Sequence, residues 1–563
     1  MMKKLERSAA ACIPLVCLVL LGSCGGKSGD SGGKSVSSAA KADLYTPAGS
    51  FPITKEPITM TMFAMSAPNV IDLQTNDFTK YLEEKTNIRW NFVTAPDDSA
   101  IEKMNLLLSS NEYPDVFMFR TPNVTMYGMQ EGILIPLEDL IPQYMPNYWK
   151  FMQENPELWA QQRQADGHIY GIASFNECYH CTHYYKLWAN MDWIEKIGLG
   201  VPTTTEEFKA VCKRFLELKP DGIAITGSTT GWGEQFVDFL LGSFITSPGR
   251  RPTNDRLAVS PSGEVVTIAN QPQYREALRF LRELYAQGGI YDGGFTQESG
   301  QYRSLVNQPG APVLFLASGA IVNSVDAETN PALYKAYRAV APFKGPDGTR
   351  INTNFKYDSL QENKLVITDR CKYPEAVLRW ADHFYTLEGY LQYQYGANLD
   401  GKDFVLNPPG EVGLNGKPAL FKVLNQYTAE AQNHDWQDIG LIYATADIRL
   451  GEATDPNIDI TSSAGLEKLL VIETETVCEP YSQKPDQFDV LPARLKLTSE
   501  EANSVQTIGV ELVKYIDENQ VAFITGRKSL DADWNAYLAG FDRLGLPEYL
   551  KVNQAAWNRQ QGK

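Results

Sequence analysis

The chain has 563 residues, 43% of them hydrophobic and 11% aromatic, which is apolar material enough for a large core and two or more domains. Its formal net charge is −17. So acidic a chain repels phosphate backbones, and nucleic acid is excluded as a natural partner.

The N-terminus reads as a targeting segment. Lys3, Lys4 and Arg7 precede an apolar run over 9–21 that is too short to span a bilayer comfortably. Leu21-Gly22-Ser23-Cys24 then has the form of a bacterial lipobox. This predicts a lipoprotein signal peptide over 1–23 and a lipidated Cys24 at the start of the mature chain. The competing reading is an ordinary secretory signal with a chance cysteine. Residues 24–51, rich in Gly, Ser, Lys and Ala, read as a flexible tether. Five cysteines follow Cys24, an odd number, so a full disulfide framework is not the organising device.

Folding is predicted to start near Phe51. Residues 58–63 alternate like a strand and end in the loop Ser66-Ala67-Pro68-Asn69. A helix with Phe78, Tyr81 and Leu82 on its buried stripe, a strand over 88–93, a helix over 101–109 and a strand over 113–119 follow. This order predicts an α/β domain with a parallel sheet covered by helices. In open sheets of this kind ligands gather beyond the C-terminal strand ends. The loops 64–70 and 119–124 are therefore candidates, with Asn69, Phe119, Arg120 and Asn123; for Arg120 the alternative is a pairing with a surface carboxylate.

Glu177-Cys178-Tyr179-His180-Cys181-Thr182-His183 gathers two cysteines and two histidines. Six consecutive residues rarely wrap one ion, and no second ligand pair stands at zinc spacing, so no metal is assigned. A Cys178–Cys181 disulfide and free thiols remain as the alternatives. The stretch 183–190 has the character of a buried strand. Next come a short helix stopped by Gly198, a break at Pro202, and a helix whose start carries Thr204 and Glu207 at capping-box spacing. Phe208, Val211, Cys212 and Phe215 form its buried stripe.

Further along, Gly231-Trp232-Gly233 leaves a tryptophan without local packing partners, with Glu234 and Gln235 beside it. A flat aromatic face suits the apolar faces of a sugar ring, and fixed polar groups suit its hydroxyls; a buried core tryptophan is the rival. His434-Asp435-Trp436 is a second cluster that reads as exposed. Thr498 and Glu501 repeat the capping-box spacing. No nucleophile elbow, phosphate-binding loop or zinc-protease motif occurs in the sequence.

The run from Asn190 through Asp192-Trp193, Lys196, Gly198 and Leu199 to Pro202, with Tyr113-Pro114-Asp115-Val116, Asp166-Gly167 to Ile172 and Leu544-Gly545-Leu546-Pro547 in the same order, resembles the extracellular solute-binding proteins of family 1 that serve ABC importers. The likeness is to their long LplA/LipO-like group and covers nearly the whole chain. It implies a two-lobed periplasmic-binding-protein-like fold, with a hinge of several crossings and a ligand cleft between the lobes. The first lobe is expected over 52–186 plus 341–395, the second over 187–340 plus 396–563. By the same resemblance the strand after His183 crosses between lobes beside the ligand, so Tyr179, His180 and His183 become candidates. Ser318 and Gly319 join them, since the family brings backbone close to ligand there; a plain tight turn is the alternative. The implied function is capture of a carbohydrate, without catalysis or cofactor, for permease subunits at the extracytoplasmic face of the cell membrane. A lipid-anchored glycoside hydrolase and a SusD-type glycan-binding lipoprotein, mainly helical, are the rival classes.

Overall fold

The computed structural model describes residues 44–562 apart from 68, 249–255, 311, 356–358, 426–430, 485 and 493–494, and apart from the side chains of 97, 98 and 438. The signal segment, Cys24 and nearly all of the tether lie outside the described residues. Residues 46–562 form one compact unit.

Two sheets carry this unit. The first has six strands in the order Tyr443–Ala444, Gly171–Asn176, Leu360–Ile367, Val116–Met118, Ile58–Ser66, Ile88–Pro96. Ile58–Ser66 runs parallel to both its neighbours, with Met62 opposite Phe92 on one side and Val116 on the other. Leu360–Ile367 enters antiparallel between Val116–Met118 and Gly171–Asn176. Met60, Met62, Phe63 and Ala64 are all buried, so the strict alternation expected at 58–63 gives way where helices cover both faces. Helix Asp77–Thr86 begins at Asn76, whose side chain accepts from the Phe78 N–H, and ends at Asn87 in the left-handed conformation. This six-stranded sheet excludes the mainly helical SusD-type body.

The second sheet has the order Tyr337–Val340, Leu187–Asn190, Val313–Ala317, Ile223–Thr226. Its core is shared with the helices Thr205–Leu218, Pro272–Ala286 and Ser499–Thr525. Gly198 closes its helix with φ 76°, as its position predicts. Thr204 caps the next helix by accepting from the Glu207 N–H at 3.2 Å, but Glu207 reaches back to the Thr203 N–H at 2.8 Å, one residue earlier than a capping box requires. Thr498 and Glu501 form the full box.

The chain passes from one half to the other three times, between Asn176 and Leu187, between Val340 and Leu360, and between Ala444 and Asp489; the strand Asp489–Val490 pairs with Leu257–Val259 of a small three-stranded sheet packed on the second sheet's core. The passages are laced together. Asn352 donates its N–H to the Tyr481 carbonyl at 2.8 Å, and Phe355 donates to the Thr182 carbonyl at 2.8 Å. The Asn352 amide donates to the Tyr185 carbonyl at 3.3 Å.

Two stretches lie elsewhere than the sequence places them. Residues 341–351 keep to the second sheet's side, where Lys344 pairs with Thr203 and Thr205 and Ile351 donates to Gly242; Ser359 accepts from the Asn176 N–H and Leu360 is the first residue to enter the first sheet. Residues 436–444 belong with the first sheet, through Trp436 in its core and the parallel pairing of Tyr443 with Phe175. Both stretches lack apolar periodicity, so nothing local reveals which sheet they cover.

Candidate functional site

The first passage builds the floor of the site. Cys178 and Cys181 are disulfide-bonded, and the turn they enclose continues as the 3-10 helix Tyr179–His183. Cys178, His180 and Cys181 cluster closely enough to hold an ion, but the sulfurs are bonded to one another and are not thiolates. His180 is buried, and burial holds its imidazole below the ordinary range. Its ring edge meets Trp232 with centroids 5.9 Å apart.

Trp232 stands in the loop after Ile223–Thr226, between Gly231 at φ 80° and Gly233 at φ 70°, both left-handed turns. Its ring lies over Gly319, where any Cβ would collide with it. The Gly319 N–H donates to the Trp232 carbonyl at 2.9 Å. Tyr184 stacks beside Trp232 at 6.1 Å and 21°, and Phe355 stacks on Tyr184 at 4.5 Å and 27°. The sequence names Trp232, His180 and Gly319 as candidates, and the structure sets them against one another, but the tryptophan is not free of packing as expected. It is half-buried, with partners from two distant segments, His180 and Tyr184 on one and Gly319 on the other. Tyr184 and Phe355 are missed; an aromatic just before the crossing strand is the one signal that pointed to the former.

The other candidates fall in four places. Glu234 is 1% exposed, its carboxylate accepting from Ser228 at 2.6 Å and Ser299 at 2.9 Å, so it ties the Trp232 loop back on itself. Ser318 is fully buried, donating its hydroxyl to the Ala320 carbonyl at 2.6 Å while its own carbonyl accepts from the Trp188 indole. Both are buried behind the aromatic group. Tyr179 is half-buried; burial, with Glu479 and Glu475 nearby, pushes its phenol up to about 12. In the first sheet, Asn69 bonds Gln437, and Phe119, at φ 68°, has the Lys364 ammonium 4.4 Å and the Arg120 guanidinium 5.6 Å from its ring centroid. Exposed Asn123 accepts from the Met126 N–H at 3.0 Å and caps a turn. The expected exposure of Trp436 does not hold. It is fully buried among Phe78, Phe92, Trp380 and Phe384, with its indole N–H donated to Thr79.

His183 is fully buried where the passages meet, its Nδ1 2.7 Å from Asn352 Oδ1 and its Nε2 3.4 Å from the Ser482 hydroxyl. Burial lowers its pKa to about 4, against about 6.5 in an unfolded chain. The unfolded chain therefore takes up the proton first, and stability is lost as pH falls from about 6.5 towards 4. Between pH 7 and pH 5 this one group is expected to cost about 2 kcal/mol. His383, also lowered to about 4, adds a slope of its own. Urea unfolding of His183→Gln should lose about 2 kcal/mol less over that interval than the parent chain. Parallel pH slopes for the two proteins would contradict the assignment.

A polar wall that the sequence reading missed completes the site. Glu467, on the helix Leu466–Glu473, places its carboxylate 3.6 Å from His180 Nε2 and 3.5 Å from Arg449 Nη2. Arg449 also lies 3.4 Å from Cys178 Sγ and bonds Tyr390. Glu452 faces the same group. Burial, with the Glu467 charge, pushes its carboxyl up to about 7 despite Arg449. Leu469 and Leu470 of the Glu467 helix pack with the second sheet, whereas Tyr390 sits on the helix Leu387–Tyr395, near Tyr443–Ala444 of the first. The wall thus bridges the two halves.

Two sheets joined by three passages, with stacked aromatics and a polar wall where they meet, are the layout of a protein that holds a solute between two α/β halves. A family model for the bacterial extracellular solute-binding proteins matches residues 69–390, more than half of the chain, and the chain belongs to that family. It is 25% identical over 574 residues to the fructooligosaccharide ABC transporter substrate-binding protein FusA of Streptococcus pneumoniae serotype 4, covering 98% of each chain. It is 21% identical over 281 residues to lipoprotein LipO of Bacillus subtilis, covering 48% of this chain and 52% of that one. The S. pneumoniae FusA structure in complex with kestose aligns with TM-score 0.73 at 22% identity, over 90% of this chain and 100% of that chain, a likeness of fold. Members of the family are extracytoplasmic binding proteins, and among the described residues no helix is long and apolar enough to cross a membrane.

Proposed function

We propose that this protein captures a carbohydrate, most simply an oligosaccharide, and delivers it to an ABC importer without altering it. The observation that carries this reading is the Trp232–Tyr184 stack at the first passage, backed by Gly319 and edged by His180. Aromatic faces bind the C–H faces of sugars, and the polar wall beside them supplies hydroxyl partners. The end-to-end likeness to FusA supports the same ligand class. In this reading the six-stranded sheet heads one lobe and the four-stranded sheet the other, and the three passages form the hinge that closes on ligand. The test is thermal unfolding of the full chain against mono- and oligosaccharides. A true ligand raises the melting temperature with concentration, as mass action requires; no shift with any saccharide would refute carbohydrate capture.

The reading includes a lipid anchor at Cys24, supported by the lipobox sequence. Cys24→Ser is expected to move the protein from the membrane fraction to the soluble fraction, because acyl chains supply attachment that a Gly/Ser tether cannot. Unchanged fractionation would refute the anchor.

A further inference from the structure

The aromatic stack reports a sugar but not its charge; the wall opposite it does. Arg449 is the cation of that wall, and it is already engaged. Glu467 lies 3.5 Å from its guanidinium and Tyr390 bonds it as well. Glu467 keeps 46% of its side chain exposed, so it presents a carboxylate to whatever enters beside Trp232 and His180. Glu452 adds a second carboxyl to the same group. His180 brings no charge near neutrality, since its imidazole is buried and held below its ordinary range. Lys186 lies beneath the floor, 1% exposed, its ammonium donated to the His180 carbonyl at 3.1 Å and the His183 carbonyl at 2.6 Å. At the rim near Tyr179 stand Glu475 and Glu479. In the first sheet, Lys364 and Arg120 are drawn onto the Phe119 ring.

On the carbohydrate reading above, we propose that the site selects an uncharged oligosaccharide and turns away uronic-acid sugars. A uronate carboxylate beside the stack would have to displace Glu467 from Arg449 and then lie against the Glu467 carboxylate. Like charges set against one another at a binding surface repel, whereas a neutral diol can donate to the exposed carboxylate and accept from the guanidinium at once. Glu467 and Arg449 are then specificity residues for the solute, reading hydroxyls from both halves of the molecule.

The experiment compares matched trisaccharides on the full chain by thermal shift and calorimetry at pH 7: kestose, maltotriose and laminaritriose against trigalacturonate. The expected result is binding of a neutral trisaccharide at least about a hundredfold tighter than trigalacturonate. Glu467→Gln, which frees Arg449 from its carboxylate, is expected to gain trigalacturonate affinity by at least about tenfold over the parent chain. Trigalacturonate binding as tightly as the neutral sugars overturns the inference while leaving carbohydrate capture standing, and would point to Arg120 and Lys364 as the anion contacts. Binding of none of the four overturns the carbohydrate reading for sugars of this size, and the inference with it.

Discussion

Trp436→Ala is expected to lower unfolding stability by about 3–5 kcal/mol, the range for removing a large aromatic from a packed core. The ring is fully buried and meets four others: Phe78 edge-on at 5.2 Å, Phe92 edge-on at 6.1 Å, Trp380 tilted at 6.1 Å and Phe384 stacked at 6.0 Å. Its indole N–H is donated to Thr79 at 2.8 Å, so truncation also leaves a buried hydroxyl short of a partner. The surrounding rings come from helix Asp77–Thr86, strand Ile88–Pro96 and the segment 380–384, which are tied into the first sheet and cannot collapse freely into the gap. The loss should appear as a lower urea midpoint with an unchanged slope. Sugar affinity of the protein that remains folded should change little, because the stack lies with the other sheet. A stable variant with impaired sugar binding would restore the exposed-platform reading of His434-Asp435-Trp436 and contradict the packing described here.

The two tryptophans show what the sequence could and could not reveal. Elements with their own local signal were legible: the parallel order from Ile58 to Met118, the Gly198 stop, the Thr204 cap and the Thr498–Glu501 box each rest on residues a few positions apart. Burial of Trp436 is decided by Phe78 and Trp380, which are remote in sequence, and nothing between 396 and 444 has the periodicity that would announce a core. The site divides the same way. Flanking glycines mark Trp232, whereas Arg449 and Glu467 are ordinary surface-type residues until folding sets them against His180. Glu234 looked like a hydroxyl partner because it neighbours Trp232. It turns inward because Ser299, far along the chain, offers it a second hydroxyl.

Trp232→Ala is expected to weaken sugar binding by about 1–3 kcal/mol, the range of a moderate to strong contact residue. Its effect on stability should be smaller than that of Trp436→Ala, since the ring is only half-buried. What lets the ring sit where it does is the absence of a side chain at Gly319, directly against it. Gly319→Ala therefore supplies an independent route to the same loss: the added methyl must push the ring from its seat, and the Gly319 N–H bond to the Trp232 carbonyl is strained with it. Calorimetry with the tightest-binding trisaccharide, alongside urea unfolding, separates the two readings of this residue. If Trp232 is a platform, both variants bind weakly while remaining folded, and the tryptophan fluorescence change on ligand addition shrinks in Trp232→Ala. If it is core, Trp232→Ala loses stability on the scale of Trp436→Ala and the surviving folded protein binds as before. That second outcome would remove the stack from the ligand site and leave the polar wall of Arg449 and Glu467 without its partner face.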